Sequence, residues 1–470
     1  MNVCVGKKDV FWSYVGTFMS LVSNILMLPF IIYFLDSNML GLWYIFSSVG
    51  AIATLFDFGF GVTFARNITY CWSGVSALKK ENAQFVEKQE TDFRLMKNVL
   101  KTCQIIYLLI ACCALFLLLT IGTGYVLYVA RAVNNKSYLF AWIIYAIAIF
   151  LNLYYGYYSS FLRGVGAVEQ ANKNTVIARA VQIIVTVILL FIGTGLTGAC
   201  LAYLLYGSIF RMLGKHKFYK YKDIGRYLAE ENVKVSKSEM KDLFITVWHN
   251  AWREGVITIC NYLSNQASTL ICSMFFSLTE TGVYSLGIQI ASAISTVAAA
   301  LYSTYQPVLQ AAYVTQDKEK VRNTMSMIVI VYISVFVLGL LITVFVGLPV
   351  LRLIKPETVV SVSILLGLSL YQFILKFRNC YTSYFSCTNR ILYVKSFVVA
   401  AVLCVVLSFV FTGVFCWGMW GMIVGQIISQ AIYNMWVWAL KAHREMELPF
   451  FEMFGRARSE LQQLMRRRAR

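Results

Sequence analysis

Apolar residues fill long stretches of this chain, and the polar positions inside them recur at steps of three and four, the helical period. A run of about twenty such residues, rising roughly 1.5 Å each, crosses a hydrocarbon core of about 30 Å. Twelve spans are predicted at 10–35, 39–62, 102–129, 138–161, 176–193, 196–213, 249–275, 281–306, 325–349, 361–384, 396–416 and 418–440. The first follows Lys7 and Lys8 but is too long for the apolar region of a secretory signal, so it reads as an uncleaved helix. The expected fold is an all-α polytopic membrane protein, with twelve transmembrane helices in two six-helix bundles around a central cavity. Its parts are an N-terminal bundle at 1–213, a basic cytoplasmic linker at 214–248, a C-terminal bundle at 249–440 and a basic cytoplasmic tail at 441–470. The charged stretch 74–101 is expected to be a solvated surface helix.

The halves repeat. In a first register, at an offset of 241, Thr17, Ser23, Asn24, Phe34 and Gly41 meet Thr258, Ser264, Asn265, Phe275 and Gly282. In a second, at 224, Tyr157, Ser159 and Phe161 meet Tyr381, Ser383 and Phe385. Polar stripes coincide as well: Ser13, Thr17, Ser20 and Asn24 fall on Glu254, Thr258, Asn261 and Asn265. The eighth span carries Ser285, Gln289, Ser292, Thr296, Ala299, Ser303, Gln306 and Gln310, and the tenth carries Gln372, Lys376, Asn379, Ser383, Ser386 and Arg390. Small residues of this kind also let membrane helices pack closely. Two parallel six-span copies are a transporter plan with the substrate site between them, so Asn24, Asn265, Gln289 and Gln372 are expected to line the cavity.

Charge inside the spans is the chemistry to explain. Asp57, in LFDFGFGVTFAR, lies about five residues, roughly 7.5 Å, from the middle of its span. A carboxylate at that depth costs roughly 2.5–3.5 kcal/mol unless it faces protein or a wet cavity. Arg66, nine residues on, falls on the opposite face of a continuous helix and reads as an interfacial, snorkelling side chain. Lys376 and Arg378 near the middle of the tenth span, with Arg253 on the seventh, are fixed cations that call for an anion: Asp57, Glu254 or an anionic substrate such as a phosphate. Asp57 is the expected ion-coupling group and Glu254 the expected partner of a cation, since Glu254 adjoins Arg253 and Asp57 has no basic neighbour one turn away. The tyrosines of NLYYGYYSSFLRG suit an interfacial belt and sugar stacking equally well.

The composition, 59% hydrophobic and 13% charged, excludes an ordinary soluble chain. Of 41 Lys and Arg, four lie on one side of the spans (Arg131, Lys136, Arg352, Lys355), three lie within them and the rest share the side of both termini, which is therefore expected to be cytoplasmic. The net charge of +19 thus belongs to loops facing an anionic leaflet and is no sign of nucleic-acid binding. Twelve scattered cysteines, among them Cys112, Cys113, Cys260, Cys272 and Cys404, read as small buried hydrophobes, and with three dispersed histidines they indicate no metal site. No nucleotide, hydrolase or zinc motif is present, so no cofactor and no enzymatic activity are expected, and H⁺ or Na⁺ is the possible coupling ion.

LPFIIYFL, Gly41-Leu42-Trp43 and DFGFGVTFAR resemble the polysaccharide-biosynthesis (O-antigen) flippase family of the multidrug/oligosaccharidyl-lipid/polysaccharide exporter superfamily. The resemblance implies alternating-access movement of an undecaprenyl-diphosphate-linked oligosaccharide from the cytoplasmic to the outer leaflet of a bacterial inner membrane. It implies a cationic cavity, to which Lys376, Arg378 and Arg253 contribute, cation-coupled resetting, and a place beside polysaccharide polymerase machinery; a monomer among membrane lipids is expected. The rivals are a multidrug exporter of the same superfamily, which would favour lipophilic cations, and a membrane polymerase or glycosyltransferase, for which the short outer loops offer no catalytic constellation.

Overall fold

The computed structural model describes residues 5–81, 90–130, 136–231, 236–276, 278–354 and 360–466. Arg131, Asn134, Asn135 and Lys355 lie outside these residues, as does the side chain of Asn24. The chain is a multi-pass, all-helical membrane protein that divides into two compact units with a boundary at Ala251–Trp252. Large apolar side chains such as Phe116, Ile121, Phe191 and Phe345 stand exposed on its outside, as a lipid solvent requires. Cys112 and Cys113 are exposed too, contrary to the expected burial, while Cys260, Cys272 and Cys404 are buried.

In the first unit α1 (Lys7–Phe34) leads to α2 (Ser37–Thr54), whose first turn is held by the Asp36 carboxylate accepting from the Met39 amide at 2.8 Å. A tight turn at Leu55–Asp57 ends the helix, and α3 (Phe60–Trp72) starts afresh. Asp92 caps α4 (Phe93–Leu117), which passes through a wide turn at Leu118–Gly122 into α5 (Thr123–Val129). The expected surface helix at 74–101 is therefore not separate: among the described residues the helix begins at Phe93 and runs on into the third span. The fourth span is α6 (Ser137–Tyr155) and α7 (Tyr157–Gly164), interrupted at Gly156; α8 (Val168–Phe191), α9 (Gly195–Lys220) and the short α10 (Ile224–Glu230) follow.

The second unit takes over within α11 (Lys237–Tyr262), which continues through a wide turn at Leu263–Ala267 into α12 (Ser268–Phe275). Next come α13 (Leu278–Ala298), α14 (Ala300–Val314), α15 (Lys318–Ile342), a wide turn at Thr343–Gly347 and α16 (Leu348–Ile354). Then follow α17 (Val362–Cys387), α18 (Val394–Phe409) with a wide turn at Val410–Val414, α19 (Gly418–Ala431), α20 (Asn434–Met446) and α21 (Glu452–Arg466). The stretch 214–248 is thus largely helical, and the basic tail contains an amphipathic helix.

The element boundaries carry the repeat. Phe34 and Phe275 end α1 and α12, and Ser37 and Leu278 open α2 and α13, both pairs in the first register. Phe93 and Lys318, Thr123 and Leu348, and Ser137 and Val362 open matching helices within a single position of the second register. Between the registers, the connection at 73–92 in the first copy shrinks to 315–317 in the second. Even the interruption of the second span recurs: Asp57 ends a turn before α3, and its first-register counterpart Ala298 ends α13 before α14. The eighth-span stripe therefore bends at Ala299, where a continuous helix was expected.

Candidate functional site

The expected continuous helix through Asp57 does not exist, because Phe58 (φ 46°) and Gly59 (φ 75°) turn left-handed directly after it. Glycine takes that conformation freely and Phe58 does not; its ring stacks on Trp248 at 6.3 Å. The break resets the helix phase, so the opposite-face relation of Asp57 and Arg66 no longer holds. Arg66 is 0% exposed on α3, which replaces the snorkelling expected of it. The neighbouring helix α7 packs along α3: Thr69 Oγ1 donates to Gly164 O at 2.8 Å.

Asp57 sits at the start of α3, where its carboxylate accepts from the Gly61 amide at 3.2 Å and from the Tyr107 hydroxyl of α4. Unpaired amides and the helix dipole favour an anion there. The carboxylate lines a cavity of about 350 Å³ with Tyr107, Asn152, Ser159, Ser160 and Arg163. Both interrupted helices border it, as expected of irregular backbone at membrane depth. Arg163 has a buried Nε and its side chain makes no hydrogen bond or ion pair among the described residues. Asn152 also accepts from Arg211 Nη1 at 3.0 Å; Arg211, itself buried, donates its other nitrogen to Ser208 Oγ at 2.8 Å. The tyrosine run resolves into neither alternative for two of its members: Tyr157 and Tyr158 are buried, packed on Tyr107 and Phe218, because the chain restarts its helix at Gly156.

In the second unit Arg378 is 1% exposed. Its guanidinium donates to Gln430 Oε1 and, at 2.7 Å, to Asn261 Oδ1, and lies 3.8 Å over the Phe397 ring. All these partners are neutral; none is a carboxylate, which was one of the expected counter-charges. Gln372 donates to Asn265 Oδ1 at 2.9 Å, which ties α17 to the wide turn following α11, and Asn265 donates back to Asn261 O at 2.8 Å. Gln289 is exposed, and Lys376 is half-buried with no hydrogen bond or ion pair among the described residues. Glu254 is buried and accepts from Ser386 Oγ at 3.1 Å, while its neighbour Arg253 turns away to Glu81, 3.8 Å distant.

The polar groups thus form one set in each unit: Asp57 with Arg163 in the first, and Glu254 on α11, Asn265 on the wide turn after it, and Gln372 and Arg378 on α17 in the second. Arg163 and Arg211 were not singled out from sequence. The signal for Arg163 was Gly156, which interrupts the helix ahead of it; Arg211 follows a small-residue face at Gly207 and Ser208 that only packing makes visible.

No protein-family model matches the chain, and no curated protein sequence matches it. Solved structures do. One is an outward-facing multidrug resistance MATE family transporter of the MOP superfamily, with a TM-score of 0.74 and 15% identity over 94% of each chain. Another is MATE in the bent conformation, with a TM-score of 0.71 and 14% identity over 96% of this chain and 97% of that one. A third is a MOP superfamily transporter from Pyrococcus furiosus whose binding pocket has reversed polarity, taken to suggest a different function; its TM-score is 0.66, with 13% identity over 94% and 95% of the two chains. At these identities the likeness is one of fold, that of the MOP superfamily transporters.

Proposed function

We propose that the chain is a flippase that carries an undecaprenyl-diphosphate-linked oligosaccharide from the cytoplasmic to the outer leaflet of a bacterial inner membrane by alternating access, with both termini cytoplasmic. The observation that carries this reading is the state of the interior guanidinium groups. Arg211 and Arg378 are buried against neutral amides, a hydroxyl and aromatic rings, and Arg163 lines a polar cavity with no partner among the described residues. Arg211 and Arg378 are buried, and none of the hydrogen-bond partners just named carries a charge. A buried cation without a counter-charge is costly, and a diphosphate, which accepts paired N–H donors, relieves that cost. Lys376, unpaired among the described residues and half-buried on α17 with Arg378, adds to the same field.

A lipophilic cation gains nothing from such an interior, which weighs against the drug-exporter reading that the multidrug resistance neighbour raises. The Pyrococcus neighbour supports the distinction, since the same fold there holds a pocket of reversed polarity. An anion-moving cycle of this kind draws on an ion gradient, with Asp57 as the proton-exchanging group.

The test is transport by the purified chain in liposomes, comparing a fluorescent lipid-diphosphate oligosaccharide with ethidium. Faster flipping of the lipid and no ethidium movement are expected, with Arg378→Glu and Lys376→Glu each abolishing flipping. The Arg378 variant remains foldable because the Gln430 and Asn261 amides can rotate to present N–H groups to a carboxylate. Ethidium transport without lipid flipping would transfer the chain to the drug exporters.

A further inference from the structure

The C-terminal helix presents three faces. Met453 and Ala457 are buried, and Arg456 on their flank bonds Glu319 Oε2 at 2.6 Å and Asn323 Oδ1 at 3.1 Å, so this side is seated on the start of α15. Glu452, Ser459 and Gln463 follow one another at about 180° from Phe454 and form a polar face. Between the two lies a third face, with Phe454 and, one to two turns on, Arg458 and Leu461. Phe454 is 55% exposed, and the turn leading into the helix adds Phe450 at 46% and Phe451 at 87%. Nothing among the described residues covers these rings, although three exposed phenylalanines so close together are costly in water.

Position says what covers them. The chain leaves the last span at Met446, with Lys441 and Arg444 exposed on its final turns, and α21 packs on the first turns of α15, another span; its axis therefore runs at the level where spans meet water. The sequence beyond Leu464 adds Arg466, Arg467, Arg468 and Arg470. We propose that α21 is an interfacial anchor: Phe450, Phe451 and Phe454 enter the acyl boundary of the leaflet on the side of the chain termini, and Arg458 with Lys441 and Arg444 binds its anionic lipid headgroups. An amphipathic helix with aromatic residues on one face and basic residues at its edge takes that position. The proposal rests on the chain spanning a membrane and is independent of what it transports.

The experiment places the photoreactive residue p-benzoylphenylalanine at one position at a time in the full chain, as Phe451, Phe454 or Gln463 replacements, in nanodiscs of phosphatidylglycerol and phosphatidylcholine. Adducts after irradiation are read by mass spectrometry. Lipid adducts at 451 and 454 should exceed those at 463 about tenfold, with phosphatidylglycerol enriched about threefold over its share of the bilayer. Arg458→Gln should reduce that enrichment, and raised salt should do the same. Equal adducts at all three positions, adducts to a second copy of the chain, or lipid adducts in the bulk ratio would each overturn the anchor.

Discussion

Cys416 has a left-handed backbone (φ 55°), as does Gly193 (φ 86°), its counterpart in the first copy. Like pairings join Gly74 to Gln316 and Gly166 to Asn389, so the first copy ends these helices with glycine and the second with other residues, of which Cys416 and Gln316 resist the conformation. A non-glycine residue there costs roughly 1–2 kcal/mol. Cys416→Gly and Gln316→Gly, both at exposed positions, are expected to raise the unfolding midpoint of the purified protein, whereas Asn389→Gly should lower it. Asparagine tolerates the conformation, and Asn389 Nδ2 donates to Lys79 O at 2.9 Å. Unchanged midpoints for both exposed variants would show that the backbone there carries no strain. Asp57 was legible because an acid inside an apolar run has few explanations. Arg163 was not, because its place at the end of a span counts it among interfacial basics, whereas the structure sets it in the Asp57 cavity.

Helix α3 meets α7 at Gly164, where a methyl group would approach the Ala65 carbonyl oxygen to 2.6 Å and Ile68 to 3.1 Å. Both obstacles are fixed, one being backbone, so Gly164→Ala must separate the helices and strain the Thr69–Gly164 hydrogen bond. A loss of about 1–3 kcal/mol is expected, measurable as a lower unfolding midpoint and a smaller folded yield in detergent; wild-type values would mean that the two helices are free to slide. The positions of the twelve spans were legible as elements, because apolar length and the two repeat registers both survive into helix boundaries such as Phe34 and Phe275. The interruptions were not. The wide turns at Leu118–Gly122 and Thr343–Gly347 rest on backbone hydrogen bonds shifted by one residue, for which no side chain is diagnostic. The left-handed Phe58 lies in an FDFGFG sequence that reads as continuously apolar.

For the molecule as a whole, carboxylates stand in each unit in different company. Asp57 meets a hydroxyl and a backbone amide beside a cavity, and Glu254 is buried behind Ser386. Under an imposed pH gradient in proteoliposomes, Asp57→Asn is expected to abolish the dependence of flux on the gradient, and Glu254→Gln to raise the substrate concentration needed for half-maximal flux while leaving that dependence intact. Full pH-driven flux in Asp57→Asn would favour sodium coupling or none. The duplicated interruption of the second span carries an acid in the first copy only, since Ala298 occupies the matching place in the second. With Asp57 as the proposed exchanging group, that asymmetry sets the stoichiometry: the duplicated interruption offers one exchangeable proton per cycle where a symmetric pair would offer two, so one proton is expected to be exchanged for each lipid moved.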